Sequence, residues 1–412
     1  MTAPARASAV LFPLLLLIVS SCGPSAEPGS QPDDQAETRY GAVVFALNDS
    51  TEVVIPGERS SSGLILRNGE EQLELRPGSP GCFSLPVFDG SLCLEGDSGQ
   101  WTDAMRVGDT PYTVPVTWHP SASPAKTADG PVDTLDWRLT FGTDDPWYGN
   151  LHLRTTAEGH ATGTIGTATG DFRYLHGEIS NGRLQVQTFD GAHLFLFVAN
   201  VRDDQTLESG TFYSGTHYST PFTGSPLTPD NTPLSEGQLA QWTGQDVGYS
   251  GRNAAGDSVA WGWDADSDTT HILSVMGTWC PNCMDEHRML LDLVNERPDV
   301  VVHTLAFERG LDRPNGEEAA LERLRNYASN MGLSPVADRW RLTLVGPASK
   351  TQAQQRLPFL DRVVSFPTSV ILTPGSTEPW IHSGFNGPAT GGLHDLERAA
   401  FSSALSGPLG SH

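Results

Sequence analysis

From Tyr40 to Gly224 apolar residues recur at every second position, in short runs. Leu64-Ile65-Leu66, Leu73-Glu74-Leu75, Thr113-Val114-Pro115-Val116-Thr117, Leu151-His152-Leu153 and Leu184-Gln185-Val186-Gln187-Thr188-Phe189 each read as a strand with one face toward a core. Between such runs stand Asn68-Gly69, Asp89-Gly90, Asn181-Gly182 and Asp190-Gly191, pairs that suit tight hairpin turns because their residues tolerate positive φ. No convincing helix-period window interrupts the region. The pattern predicts an antiparallel β-domain over residues 40–224, a sandwich or barrel, and leaves open one barrel or two small sandwiches. Pro226, Pro229 and Pro233 then mark residues 225–237 as a linker.

The period changes beyond it. His271-Ile272-Leu273-Ser274-Val275-Met276 is a short buried-strand candidate, and Pro281 opens a helical stretch with Met289, Leu290, Leu293 and Val294 as its apolar stripe. A strand over Val300–Phe307, a helix over Glu317–Met331 with Leu321, Leu324 and Tyr327 on one side, and a strand over Thr368–Leu372 follow. Strands alternating with helices predict an α/β unit with a central mixed sheet over residues 238–406. The fold class expected is therefore multidomain, β-rich first and α/β second.

Composition narrows the function. The 412 residues carry 49 acidic against 25 basic side chains, a net charge of −24. A nucleic-acid binder needs a basic footprint, so that class is set aside, as is simple electrostatic adhesion to anionic lipid. Ten Trp, 16 Phe and eight Tyr are enough to build real cores.

The first 22 residues read as an address. Arg6 precedes an apolar core, Ala9–Val19, of roughly eleven residues, too short to span a bilayer. It ends in Val19-Ser20-Ser21-Cys22, which resembles a bacterial lipobox. That resemblance implies a lipoprotein signal peptide over residues 1–22, lipidation of Cys22, a membrane anchor and a periplasm-facing place in the cell envelope. Residues 23–39, rich in Pro, Ser, Gly and Asp, read as a flexible tether. Five cysteines less the lipidated one leave two pairs. Cys82 and Cys93 flank Val87-Phe88-Asp89-Gly90 and are read as a structural disulfide, since an exported chain meets an oxidising compartment. His193 and the aromatic-rich Tyr213–Tyr218 are weighed as a ligand lining and set down as core or surface residues.

The remaining pair lies in Trp279-Cys280-Pro281-Asn282-Cys283, at a strand-to-helix junction. Two residues between cysteines on a first helical turn bring the sulfurs within bonding distance. A helix N-terminus favours thiolate on the first of them, so Cys280 is read as the nucleophile and Cys283 as the resolving thiol. Pro281 suits the first helical position, where its missing N–H costs nothing. With Pro367 far downstream, the segment resembles thioredoxin, and more closely the TlpA/ResA-like thiol-disulfide oxidoreductases, over about Gly251–Leu405. The stretch from Gly170-Asp171-Phe172-Arg173 to Asp190-Gly191 likewise resembles a β-domain that precedes thioredoxin modules in exported bacterial proteins.

The family resemblance implies a cis Pro367 facing the dithiol, substrate contacts from Trp279, Phe366 and Pro367, an acid/base role for Glu286, and no cofactor. It also implies partners: exported protein disulfides or thiols and a membrane electron-donor protein. Arg288 stands where that family often has Pro. Three other readings are weighed: a peroxidase, which lacks its usual residue because Gly277 stands three before Cys280; a copper or zinc site on Cys280, Cys283 and His287; and a staple disulfide in an envelope binding lipoprotein.

Overall fold

The structure, a computed structural model, describes residues 38–407 apart from 86, 107–110, 125–129, 131–132 and 235–238. The signal segment, Cys22 and nearly all of the tether lie outside the described residues. Among those residues no helix is long and apolar enough to cross a membrane.

The β-region is two closed barrels. In the first, eight strands between Arg39 and Ser121 pair in sequence order, and the last returns to the first through Tyr40–Ser121 to Phe45–Val116. Eight strands leave an interior that side chains just fill. Alternation supplies them: Val43, Phe45, Val53, Ile55, Leu64, Leu66, Leu73, Leu75, Trp101, Val114 and Val116 share one buried cluster. The second barrel spans Asp133–Phe141 to Tyr218–Pro226, closes by pairing those two strands, and is filled around Trp137, Phe141, Phe197, Phe212 and Phe222. Its short extra strand, Gly170–Asp171, pairs with the end of His160–Thr167. Asn181 and Gly182 adopt φ of 51° and 71°, as the hairpin chemistry of that dipeptide requires.

Two expectations are corrected. Asp89-Gly90 does not form a tight turn: Cys82–Ser84 pairs with Gly90–Glu95 through Ser84–Ser91, so the connection is longer and Val87 and Phe88 are freed to pack elsewhere. The residues placed in the linker begin within a strand that runs to Pro226, and Asn150 Nδ2 donates to the carbonyl of Thr232 at 2.8 Å, holding the following segment on the barrel. Cys82 and Cys93 are bonded across a directly opposed strand pair. His193 and Asp190 form a 3.0 Å pair that closes a turn, while Tyr213 packs on the first barrel's core.

The barrels are joined through buried polar and aromatic contacts. Asn68, fully buried, bonds both backbone groups of Phe189, whose ring lies 4.8 Å from Phe45.

The C-terminal domain carries a seven-stranded mixed sheet in the order Ser258–Gly262, Gly248–Asn253, Trp340–Pro347, Val300–Glu308, Thr270–Met276, Thr368–Leu372, Trp380–Ser383. The three central strands run parallel and Thr368–Leu372 antiparallel to them. Helices α1 (Pro281–Glu296), α2 (Gly316–Asn330), α3 (Lys350–Arg356) and α4 (Gly392–Leu405) complete it. Met289, Leu290, Leu293 and Val294 of α1 meet Leu321, Leu324 and Tyr327 of α2 in one core. α1 is continuous through Arg288.

Candidate active site

Thr270–Met276 is buried at every position, which fixes the end of the strand and the loop that leaves it. A Cβ on Gly277 would lie 2.2 Å from the indole nitrogen of Trp279, so only glycine lets that ring fold back. The indole N–H donates to the carbonyl of Phe307 at 2.9 Å, and the Arg309 guanidinium lies 4.5 Å over the ring. The N–H and hydroxyl of Thr278 both donate to the buried Glu308 carboxylate at 2.8 Å. The residues before the first cysteine are therefore held from two sides.

Cys280 is the N-cap of α1, and Pro281 opens the helix. The two sulfurs are bonded, with Cα atoms 5.3 Å apart. The N–H of Cys283 donates to Cys280 Sγ at 3.2 Å. Together with the helix N-terminus, that donor favours negative charge on Cys280 Sγ once the bond opens. Phe366–Pro367 is a cis peptide, and the Phe366 carbonyl oxygen lies 3.4 Å from Cys280 Sγ. Trp279 meets the Phe366 ring edge-on at 5.5 Å. Cys280, Cys283, Trp279, Phe366 and Pro367 are thus gathered at one place.

Glu286 lies one turn past Cys283 and is fully buried. Ser274 and Ser369 donate their hydroxyls to its two oxygens at 2.7 and 2.8 Å. Burial pushes its carboxyl up to about 7, against the pull of both hydroxyls. Ser274 also meets His287 Nε2 at 3.0 Å, and Tyr327 Oη meets His287 Nδ1 at 2.8 Å. A serine hydroxyl that donates to a carboxylate must accept here, so Nε2 carries the proton and Tyr327 donates to Nδ1. Burial lowers the His287 pKa to about 3, keeping the ring neutral. Both ring nitrogens are engaged, which takes away the third ligand of the metal reading. No group of three or more potential ligands is present among the described residues.

Because the folded value lies above the unfolded one, Glu286 stabilises the fold least where it is ionised. Its contribution falls by roughly 3 kcal/mol as pH rises from about 4.5 to 7. Glu286→Gln is expected to remove that slope, read as the difference in urea stability between the two ends of the window. Equal slopes in both chains would refute the assignment.

The partners that surround this site were not legible in the local sequence pattern. Arg173, from the second barrel and only 2% exposed, donates to the carbonyl of Pro281 at 3.1 Å and pairs with Asp285 of α1 and Glu71 of the first barrel. Asn282 Nδ2 donates to the carbonyl of Asp171 at 2.9 Å, and the Asp171 carboxylate accepts the N–H of Gly387 at 2.8 Å. Val87 and Phe88 pack against the core that holds both cysteines. Cys280 is only 5% exposed and Cys283 not at all.

No family model matches the sequence, and no curated protein matches it. Solved structures similar to part of the chain include thiol-disulfide oxidoreductases. A secreted disulfide oxidoreductase of Mycobacterium tuberculosis, homologous to E. coli DsbE, is 14% identical, with 37% of this chain and 95% of that one covered and a TM-score of 0.25. A thiol-disulfide oxidoreductase of Bacteroides fragilis is 19% identical over 36% and 96% of the two chains, at 0.23. A thiol:disulfide interchange protein of Chlorobium tepidum is 14% identical over 37% and 93%, at 0.25.

Proposed function

We propose that this chain is a thiol-disulfide oxidoreductase of the TlpA/ResA-like kind that reduces disulfides of other exported proteins. The observation that carries the reading is a bonded cysteine pair at the N-cap and first turn of α1, beside the Phe366 carbonyl. In the dithiol form, Cys280 thiolate attacks one sulfur of a substrate disulfide, and the other substrate sulfur leaves as a thiolate. Cys283 then loses its proton to Glu286 and attacks Cys280. The substrate's second sulfur departs, the substrate has gained two electrons, and Cys280–Cys283 is oxidised. A thiol-bearing electron donor at the membrane returns the pair to the dithiol. Trp279, Phe366 and Pro367 flank the attacking sulfur and are assigned the substrate contacts. Lipidation at Cys22 would tether the chain to the envelope, facing the periplasm.

Titration of the purified chain against a thiol–disulfide buffer is the test. The expected result is a reversible two-electron transition at Cys280–Cys283, nearer the roughly −270 mV of reducing thioredoxins than the −120 mV of strong oxidants. No reversible transition would overturn the function. A value near the oxidant end would overturn its direction.

A further inference from the structure

The two barrels do more than precede the redox domain, because each places residues on one flank of the attacking cysteine. On one flank the second barrel covers Pro281 and Asn282, the residues between the two cysteines. Arg173 Nη1 reaches the Pro281 carbonyl at 3.1 Å, and the Asp171 carbonyl accepts Asn282 Nδ2 at 2.9 Å. A Cβ on Gly384 would lie 2.3 Å from the backbone of Thr169, so the two domains touch main chain to main chain. On the other flank the first barrel reaches the Trp279 side. Asp103 pairs with Arg309 at 3.5 Å, the same guanidinium that covers the indole, and Asp89 pairs with Arg323 at 3.7 Å, which also contacts Glu308 at 3.4 Å. Val87 and Phe88 of the first barrel pack against the core that holds both cysteines.

The result is a sulfur in a slot. Cys280 is 5% exposed while Trp279 and Phe366, beside it, remain half-buried. The approach that remains lies along the Trp279–Phe366 side, next to a backbone carbonyl. The flanks are also fixed: the Arg173, Asp285 and Glu71 cluster is buried and charge-paired, and parting it would leave ions unpaired in the interior.

We infer that the barrels are specificity walls, with Val87 and Phe88 as the apolar residues that seat the first wall on the core holding Cys280. The class of substrate they admit is a disulfide or thiol on an extended, unfolded polypeptide segment. A sulfur set in the flat surface of a folded protein is turned away, because the barrels meet it before Cys280 does. This inference rests on the proposed exchange chemistry and specifies its substrate.

The test reads access to the reduced sulfur. The full-length chain is reduced with a phosphine, and Cys280 is labelled in native buffer with two maleimides: one at the end of a linear polyethylene glycol, one attached directly to a small globular protein. Peptide mapping assigns label to Cys280 apart from Cys82 and Cys93. The linear reagent is expected to react faster by about tenfold or more. Phe88→Ala and, separately, Val87→Ala should each raise the globular reagent's rate several-fold relative to the linear one, and having two variants keeps the test intact should one fail to fold. Equal rates for the two reagents on the parent chain, or a ratio unmoved by both variants, would overturn the inference. Shape-selective labelling of a chain with no reversible redox transition would remove the proposed function and leave the walls standing. Indifferent labelling of a chain that does titrate would remove the walls alone.

Discussion

Cys280→Ser is expected to lower the rate of substrate disulfide reduction by at least roughly a thousandfold, and Cys283→Ala to stop the reaction halfway, with substrate covalently held on Cys280. The asymmetry follows from position. Cys280 caps α1, accepts the Cys283 N–H at 3.2 Å and is the sulfur beside the Phe366 carbonyl, whereas Cys283 is fully buried one turn inside. Removing the nucleophile leaves nothing to attack, and losses of that order are typical when such a group is deleted. Removing the resolving thiol leaves the attack intact and blocks release. Non-reducing gels and mass spectrometry of the trapped adduct read both outcomes, and the adduct names the partner. Adducts formed through Cys283 in the Cys280→Ser chain would reverse the roles.

Arg173→Ala should cost about 3–5 kcal/mol of stability, because it strands two carboxylates in the interior. Asp285 and Glu71 both face that guanidinium, and all three side chains are nearly excluded from water. Burial already pushes the Glu71 carboxyl up against the pull of Arg173, and it pushes neighbouring Asp171 up to about 6. Without the guanidinium, Glu71 would hold its proton in the folded chain over a range where the unfolded chain releases it. The deficit should therefore grow as pH rises and shrink as it falls toward the ordinary carboxylate range. Urea unfolding at several pH values checks this. A deficit under about 1 kcal/mol would place Arg173 among pairs that contribute little. Combining Arg173→Ala with Glu71→Gln and Asp285→Asn should recover part of the loss, since no charge is then left alone.

The strands and the dithiol were legible because their signals are local. Alternation in Leu64-Ile65-Leu66 or Leu184–Phe189 records which face is buried, and the spacing of Cys280 and Cys283 is a helix property. Period two is the same in a sandwich and in a barrel, so closure through Phe45–Val116 and Phe222–Phe141 could not be read from any one strand. Ser274 and Ser369 are hydroxyls set in strands buried along their whole length, a signal that was not drawn from the sequence, and Glu286 is what they serve. Asp171 and Arg173 entered the reading only within a stretch resembling a β-domain, Glu71 not at all, and their place beside the dithiol was not legible. Charged residues next to turns usually face water, and only the docking of separate domains turns these inward. Asp89-Gly90 misled for a related reason: Val87 and Phe88 gain more from packing on the neighbouring domain than from a tight hairpin.

Closure of the barrels has a colloidal consequence. A strand with an unpaired side is a template for addition of another chain, and a ring of strands has none. Across the described residues, the free margins of the C-terminal sheet are Ser258–Gly262 and Trp380–Ser383, which offer five and four residues for such addition. The described residues, rich as they are in β-structure, thereby present little that could seed fibrils, and clumping through them should follow unfolding of a barrel rather than collisions between intact molecules.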